Sequence, residues 1–384
     1  MNYKSELLRG GPVIACAGTD YIISVPVRKR VLMKIVIGPA VYYNHCNGVK
    51  ISDTKLQRFI VPMEVLNKAK KYTVIFSEVI SRGAYSCTLG EEQSIDFVFY
   101  PVEKTDGINI YHISDTHGIK SAAVNAAKAI GDKLDLLVLN GDISSSSSKE
   151  NDIFLQYDIA YLITRGEKPC ILSRGNHDLR GALAEKLASY LPTVGGKTYY
   201  TVTLGSLWIM ILDCGEDKLD SHREYSSTVC CHEMRKDETE FIRAVIADKK
   251  NEFERAGIKH KLVVSHVPFE YNNTELCRGE RPFDIEHEIY GEWCRLIREE
   301  IKPELMLCGH FHLTEVWQNG YRDDKNVGVP VIIGGKPENE RGRNKKYIGC
   351  CVGLNDKNAT VTFTDERKRT VNSICIDIKG EGTT

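Results

Sequence analysis

Eight side chains that can bind metal ions or move protons occur in five short segments of this 384-residue sequence. They carry imidazole, carboxylate and carboxamide groups, and each segment directly follows a short apolar run. The eight are Asp115, His117, Asp142, Asn176, His177, His266, His310 and His312. Nitrogen and oxygen donors without a thiolate suit Mn, Fe or Zn. Eight donors exceed what one tetrahedral ion needs and match two ions that share a carboxylate, an arrangement that clamps a phosphoryl group.

The apolar runs before these side chains are typical of strands buried on both faces. They span residues 108–114, 134–140, 170–173, 261–265 and 305–308. Helical patterning is found at 122–130, 152–164, 181–190, 233–255 and 286–300, and further strands are predicted at 198–204, 207–213, 329–333, 347–354, 359–364 and 373–378. Ligand sites of open α/β sheets lie beyond the carboxyl ends of the strands. The order therefore predicts an α/β core with the eight side chains at one edge.

The residues next to these segments have open interpretations. A glycine precedes Asp142, Asn176 and His310, which predicts tight turns where backbone closely approaches the site. The five serines at 144–148 form either a flexible solvated loop or hydroxyl contacts to a phosphate. Arg180 is either a bidentate phosphate ligand or a surface charge at a helix start. The loop 213–218, with His222 just beyond it, either lines the pocket and selects substrate or is a solvated turn.

The N-terminal part of the chain has a different pattern. Short β-rich runs at 21–27, 31–37, 57–62, 72–77 and 94–100 are separated by turn signals. They predict a small β-sandwich of the immunoglobulin or fibronectin kind. A polar stretch at 102–107 marks its end. We therefore expect an N-terminal β-sandwich domain at residues 1–103 and a catalytic domain at residues 104–384.

Composition narrows the classes of function. Lysine and arginine total 51 against 52 acidic residues, a net charge of −1. This balance gives no overall field for capturing nucleic acid or an anionic membrane surface, so we expect neither as a partner. We see no apolar run of the roughly 18 to 20 residues that span a bilayer and no signal-peptide pattern. The 13 cysteines show no zinc-type pairs, and we expect free thiols and a cytoplasmic protein.

The ordered motifs D-x-H, G-D, G-N-H-D, H and G-H-x-H resemble those of the calcineurin-like metallophosphoesterase superfamily, over roughly residues 107–320. The resemblance implies a four-layer α/β/β/α sandwich with a dinuclear metal centre. It implies one metal bound by Asp115, His117 and His312, a second bound by Asn176, His266 and His310, and Asp142 as the bridge. His177 would act on a phosphoryl oxygen or the leaving group, and Asp178 would orient His177.

The β-sandwich before the catalytic domain is similar to the arrangement in purple acid phosphatases. That group needs a tyrosine three residues after the bridging aspartate, where this chain has Ser145. No phenolate-to-iron bond is available at that position, so we expect no purple colour.

The expected function is hydrolysis of a small-molecule phosphate ester by a metal-bridging hydroxide, with two Mn, Fe or Zn ions and a monoester as the expected substrate. A phosphodiesterase, acting on a cyclic nucleotide or another diester, is the first alternative. A catalytically silent binding or scaffold protein on the same fold is an alternative of a different class. The sequence leaves the oligomeric state open.

Overall fold

The computed structural model describes residues 5–268, 285–318, 327–340 and 344–378. Its N-terminal elements are β1 Val13–Ala17, β2 Asp20–Pro26, β3 Val31–Ile37, β4 Ala40–Tyr43, β5 His45–Cys46, β6 Val49–Lys50, β7 Leu56–Pro62, α1 Met63–Ala69, β8 Lys71–Arg82, β9 Cys87–Leu89 and β10 Gln93–Val98.

The elements that follow alternate between strand and helix before the chain ends in strands. They are β11 Ile108–Ile113, α2 Lys120–Ala127, β12 Leu136–Asn140, α3 Glu150–Thr164, β13 Pro169–Ser173, β14 Tyr200–Leu204, β15 Leu207–Leu212, α4 Cys231–Ala247, β16 His260–Ser265, α5 His287–Leu296, β17 Leu305–Cys308, β18 Thr314–Trp317, β19 Val331–Glu340, β20 Asn344–Leu354, β21 Asn358–Asp365 and β22 Thr370–Asp377. Short 3-10 helices span Gly131–Lys133, Asn176–Leu179 and Ala184–Ser189, and a π-helix spans Ile297–Ile301.

Two sheets are joined by the long strand β19. Its first half pairs with β17, in a sheet ordered β14-β15-β16-β17-β19. Its second half pairs with β20, in a sheet ordered β19-β20-β11-β12-β13. We call these the second sheet and the first sheet. The strands β11, β12 and β13 are parallel, as are β15, β16 and β17. Their carboxyl ends therefore meet at one edge of the molecule.

The two sheets pack face to face with helices outside. The layer between them is filled by alternate residues of the strands, such as Ile110, Val138 and Val264. Helices α2 and α3 cover the outer face of the first sheet, and α4 and α5 cover that of the second. Alternation with a period of two sends one set of side chains to the shared core and the other set to the helices. This architecture confirms the predicted four-layer α/β fold preceded by a β region.

The N-terminal strands form two antiparallel layers. One layer, β1-β2-β7, continues the first sheet, because β1 pairs in parallel with β13. The other, β10-β8-β3-β4, packs against it through a buried cluster that includes Ile23, Phe59 and Phe76. The proposed division after residue 103 therefore crosses a hydrogen-bonded sheet, and the domain boundary stays a prediction.

Two predicted helices are shorter than expected. The helix predicted at 181–190 is only the 3-10 turn Ala184–Ser189. Gly181 has a φ of +109°, and the backbone N–H of Leu183 donates to the carbonyl of Ser147 instead of continuing a helix. The helix predicted at 233–255 ends as α4 at Ala247, and turns follow it.

Candidate active site

The loops after five parallel strands carry the candidate site. Asp115 and His117 follow β11, Asp142 follows β12, and Asn176 and His177 follow β13. The second sheet supplies the remaining three, since His266 directly follows β16, and His310 and His312 follow β17. The structure thus brings all eight side chains to the junction of the two sheets, five from the first and three from the second.

Five of these residues have left-handed backbone conformations. The φ angles are 53° for Asp115, 43° for His117, 53° for Asp142, 70° for His310 and 55° for His312. Positive φ is uncommon outside glycine, although Asp and His tolerate it better than most residues. Such strain is held only where the surroundings over-determine the conformation, and it concentrates at functional sites. The sharp bends turn the side chains inward from the strand ends.

Glycines allow the loops to approach one another, as predicted. Gly141 has a φ of +74°, and a Cβ built on it would lie 2.4 Å from the backbone nitrogen of Gly175. A Cβ on Gly175 would lie 2.3 Å from Oδ1 of Asp142. Real Cβ contacts are longer than this, so the loops after β12 and β13 can be this close only with glycine at both positions.

Asp142 lies at the centre of the cluster. Its Oδ2 is 3.3 Å from Nε2 of His266 and 3.9 Å from Nε2 of both His117 and His177. Its Oδ1 accepts a hydrogen bond of 2.9 Å from the backbone N–H of His177. One carboxylate therefore faces imidazoles from both sheets.

Asp115 is completely buried beside it. Its Oδ1 is 3.7 Å from Nε2 of His266 and 3.5 Å from Nε2 of His312. The carboxylate also accepts the backbone N–H of His310, which ties the loop after β17 to the loop after β11. Nε2 of His117 lies only 3.0 Å from Nε2 of His312.

Burial and the charges of neighbouring groups shift the pKa of most of these side chains. Burial lowers the pKa of His117 and of His310 to about 4 and lowers that of His312. Burial also raises the pKa of Asp115 to about 7. For His266, burial is outweighed by the Asp142 and Asp115 carboxylates, which raise its pKa to about 10. Burial would likewise raise the pKa of Asp142, but the charge of His266 holds it below its usual value. Metal cations bind imidazoles in their neutral form and carboxylates in their ionised form, so a cation bound here would displace the proton that the two carboxylates hold on His266.

The donor atoms fit a metal centre. Among the residues that the structure describes, three groups of side chains have ligand atoms within 4.8 Å of one another: Asp115, His117 and His312; Asp115, Asp142 and His266; and His117, Asp142 and His177. Nε2 of His266 is buried without a hydrogen bond, while its Nδ1 lies 2.6 Å from the carbonyl of Asn140. Because Nδ1–H is donated to this carbonyl, Nε2 is the ring nitrogen that a metal ion could bind.

The amide of Asn176 fits a cation too. Its oxygen lies 3.2 Å from Nδ1 of His310, and it faces only acceptor atoms. Exchanging the two ends of the amide would let the nitrogen donate to His310 and to Asp142, and the oxygen accept from Arg180. An amide oxygen turned towards a carboxylate and an imidazole is favourable when a cation lies among them.

His177 is held at the open side of the cluster. Its Nδ1 is 3.0 Å from the carbonyl oxygen of Ser145, so an Nδ1–H donates there and Nε2 points towards Asp142. Its side chain is 31% exposed, against 1% for His266. Solvent or a substrate can therefore reach the His177 ring more readily than the His266 ring.

Asp178 has a different contact from the predicted one. Its Oδ2 accepts the backbone N–H of Gly175, at 2.8 Å, and that of Asp142, at 3.2 Å. His177 is oriented by the Ser145 carbonyl instead, because the 3-10 turn Asn176–Leu179 directs the Asp178 side chain back towards β12. Burial and then the Asp142 charge raise the pKa of Asp178 to about 7. Asp178 therefore positions two loops rather than the His177 ring.

Arg180 is neither a free phosphate ligand nor a surface charge. Its Nε and Nη2 each donate a 2.8 Å hydrogen bond to the carboxylate of Glu216, and Nη2 also lies 3.3 Å from Asp217. The fork that would clamp a phosphate binds a buried carboxylate in this structure, and the predicted phosphate contact of Arg180 stays a prediction. His222 is half-buried on Tyr225, and its contacts in the described part of the chain do not reach the cluster.

Sequence reasoning missed the network that surrounds Arg180. Tyr225 donates to Glu216 and to Asp217, and Asp217 Oδ2 lies 3.9 Å from Nε2 of His310. The loop 213–218 is thus a buried ionic support at the edge of the site. Its run of carboxylates after a strand was a visible signal, whereas nothing in the sequence pointed to Tyr225.

The serine segment is more ordered than a solvated loop. Ser147 is buried, and its hydroxyl donates to the carbonyl of Asp178. Ser145 is exposed, and its Oγ lies 3.5 Å from Nδ1 of His117.

His112 is a core residue and not part of the cluster. It lies fully buried within β11, and burial lowers its pKa to about 3.

Among the described residues, no helix is both long enough and apolar enough to cross a membrane.

Two solved structures share the fold. A purple acid phosphatase from yellow lupin (Lupinus luteus) seeds is 13% identical, with a TM-score of 0.56 over 95% of this chain and 74% of that one. A structure of PhoD is 11% identical, with a TM-score of 0.53 over 98% of this chain and 90% of that one. No curated protein matches the sequence.

The family model for calcineurin-like phosphoesterases matches residues 108–313, more than half of the 384 residues and the segment that holds every residue of the cluster. The strand-end donors, the two-sheet core and this match agree. The chain therefore belongs to the calcineurin-like phosphoesterase family and is a metal-dependent phosphoester hydrolase.

Proposed function

We propose that the protein hydrolyses small-molecule phosphate esters at a centre of two metal ions held by seven side chains. The observation that carries this proposal is the convergence of imidazole and carboxylate donors from both sheets on Asp142. Asp115, His117 and His312 would hold one ion. Asn176, His266 and His310 would hold the other, with Asp142 shared. Mn, Fe and Zn all suit these donors.

Metal ions bound there would neutralise phosphoryl oxygens and supply an activated water at neutral pH. The chain's own residues do the rest. The carbonyl of Ser145 holds the Nδ1–H of His177, so that Nε2 faces the cluster at its exposed side. The ring that carries a proton on both nitrogens can donate from Nε2 a hydrogen bond to a phosphoryl oxygen, or that proton to the leaving group, which leaves the neutral ring with its proton on Nδ1. Asp178 positions the loops that carry Asp142 and His177.

A monoester is the proposed substrate class. A terminal phosphoryl group can enter the exposed side of the cluster beside His177 and His312, whose side chains are 31% and 46% exposed. The lupin relative in fold is named a phosphatase. The physiological site of action that we propose is the cytoplasm.

One observation favours a diester as the second candidate. Among the described residues, three basic side chains close to the cluster already bind carboxylates: Arg180 binds Glu216, Arg174 binds Asp213, and Lys218 binds Asp217. A monoester dianion would then gain nothing from these three cations for its second negative charge, whereas a diester carries only one.

The test compares initial rates on nitrophenyl phosphate and bis-nitrophenyl phosphate with metal-stripped protein reloaded with Mn. Asp142→Asn protein treated identically is the control. A faster monoester rate supports the phosphomonoesterase, and a faster diester rate assigns the second candidate. Full metal loading with no hydrolysis above the control, for Mn, Fe, Zn, Co and Ni, would indicate the silent binding protein.

A further inference from the structure

The candidate metal centre is divided between two sheets, so its geometry depends on how far apart they lie. His266 Nε2 and Asp142 Oδ2, 3.3 Å apart, come from different sheets, and so do the Nε2 atoms of His117 and His312, 3.0 Å apart. Metal–nitrogen bonds are about 2.0–2.1 Å and tolerate errors of roughly 0.2 Å. Contacts between the two sheets must therefore hold the distance between them to within a few tenths of an ångström.

The layer between the sheets is mostly apolar, and apolar packing resists compression without defining a register. Asn140 is an exception at the carboxyl end of β12. Its side chain is fully buried, and Nδ2 donates hydrogen bonds of 3.1 Å to the carbonyls of Ser265 and Leu307. Those carbonyls belong to β16 and β17 of the opposite sheet, one residue before His266 and three before His310.

The other contacts of Asn140 lie within its own sheet. Its Oδ1 accepts a 2.7 Å hydrogen bond from the hydroxyl of Ser173 on β13, and Nδ2 lies 3.1 Å from Nε2 of His112 on β11. One amide thus links β11, β12 and β13 to β16 and β17. A buried amide with both ends satisfied fixes relative positions more narrowly than apolar contact does.

The main chain of the same residue contacts His266. The carbonyl of Asn140 accepts from Nδ1 of His266 at 2.6 Å, which leaves Nε2 directed at Asp142 and Asp115. The side chain of Asn140 holds the carbonyl that precedes His266, and its main chain holds the ring. The two contacts together define the position of His266 and the ring nitrogen that it turns towards the metal centre.

The geometry points to Asn140 as a positioning residue: its cross-sheet amide sets the distance between the two halves of the metal centre and keeps His266 in the form that offers Nε2. This inference rests on the proposed metal centre. It concerns affinity and coordination rather than contact with substrate.

The test measures the binding of Co²⁺ to the whole 384-residue chain. Titration calorimetry gives the affinity, and the visible absorption spectrum reports the coordination of the ion. Asn140→Leu removes the cross-sheet hydrogen bonds at similar volume, and Asn140→Ser is measured in parallel in case the leucine variant does not fold. The matched control is Gln57→Leu, which removes the hydrogen bonds that another fully buried amide donates to the carbonyls of Val31 and Ile51 in the N-terminal region. All variants are checked by circular dichroism and denaturant unfolding.

We expect the Asn140 variants to bind Co²⁺ about 10- to 100-fold more weakly, with an altered spectrum and a lower kcat at similar KM. Gln57→Leu should retain the affinity and spectrum of the natural protein, because its hydrogen bonds lie in the N-terminal region. Folded Asn140 variants with unchanged affinity and spectrum would overturn the inference, whatever their loss of stability. Failure of the natural protein itself to bind Co²⁺ would instead overturn the proposed function.

A second measurement needs no variant. Nitrogen NMR of protein labelled at histidine should show His266 with a proton on Nδ1 and, in the Co²⁺- or Zn²⁺-loaded protein, none on Nε2. A ring protonated on Nε2 in the metal-loaded protein would contradict the proposed role of the Asn140 carbonyl.

Discussion

His177 is the histidine of the cluster whose role depends on exposure rather than burial. Its Nδ1–H is donated to the Ser145 carbonyl, so Nε2 is the ring atom that faces the cluster. We propose that this nitrogen contacts the substrate and does not bind metal. We expect His177→Ala to retain metal and to lose about 10²- to 10⁴-fold in kcat. Metal content by elemental analysis and steady-state rates check this, with the exposed His45→Ala as control. Full activity in the variant would remove His177 from the mechanism.

Asp142 has the central position among the donors. If its carboxylate is shared by two ions, Asp142→Asn should lower the occupancy of both, because an amide gives one weaker oxygen donor. Metal-to-protein ratios after dialysis against Mn measure this. Loss of a single equivalent, with the other retained, would argue that Asp142 serves one ion only.

Arg180 offers a test of stability against substrate binding. Arg180→Met leaves the fully buried Glu216 without its guanidinium partner, so unfolding free energy should fall by roughly 2 kcal/mol, allowing for the 27% exposure of Arg180. KM should change little. Denaturant unfolding and steady-state kinetics separate the two effects, with exposed Arg367→Met as control. A large rise in KM at unchanged stability would restore the phosphate-binding role.

The residue scale also shows what a sequence reveals. The ordered donors could be identified because each follows an apolar run, and the structure brings them together. The contact of Asp178 could not be identified from the sequence, because it depends on the direction in which a 3-10 turn points one side chain. The amide of Asn140 was hidden for a related reason: at the end of an apolar run, a buried asparagine looks like the first residue of a loop.

At the scale of elements, the loops depend on glycine where backbone meets side chain. Gly175→Ala should destabilise the protein by about 1–3 kcal/mol and weaken metal binding, because its Cβ would overlap Asp142. Gly291→Ala is the matched substitution within α5, where a Cβ meets nothing within 4 Å. It should be neutral or stabilise by about 0.5–1 kcal/mol. Equal effects of the two substitutions on stability and metal affinity would show that close approach is unimportant.

Elements with strong patterns were predicted well. Strands β3 and β17 have the predicted bounds, and α3 begins two residues earlier than predicted. Strand β1 was missed, although its five residues are apolar, because a short run beside a turn is ambiguous until its partner is known. Strand β1 has two partners: β2, which follows it directly, and β13, about 150 residues further along the chain. Pairing at such a distance cannot be derived from local patterns.

At the scale of the whole molecule, β1 connects the N-terminal strands to the catalytic sheet. We propose that residues 1–103 and 104–384 differ in architecture yet fold together. A chain beginning at residue 104 should fail to fold cooperatively, because it exposes the edge of β13 and part of the shared core. The check is denaturant unfolding by fluorescence and circular dichroism for the full and shortened chains. Native-like unfolding and activity of the shortened chain would establish two independent domains.

Strand β20 has a consequence for how the molecule is made. It lies beside β11, which leads to Asp115 and His117, yet β20 begins only at residue 344. On a ribosome adding 5 to 20 residues per second, roughly 10 to 50 s separate the synthesis of these neighbours. Through that interval β11 has an open edge able to pair with a wrong strand. The nascent chain therefore contains Asp115 and His117 well before it contains the strand that covers the edge beside them.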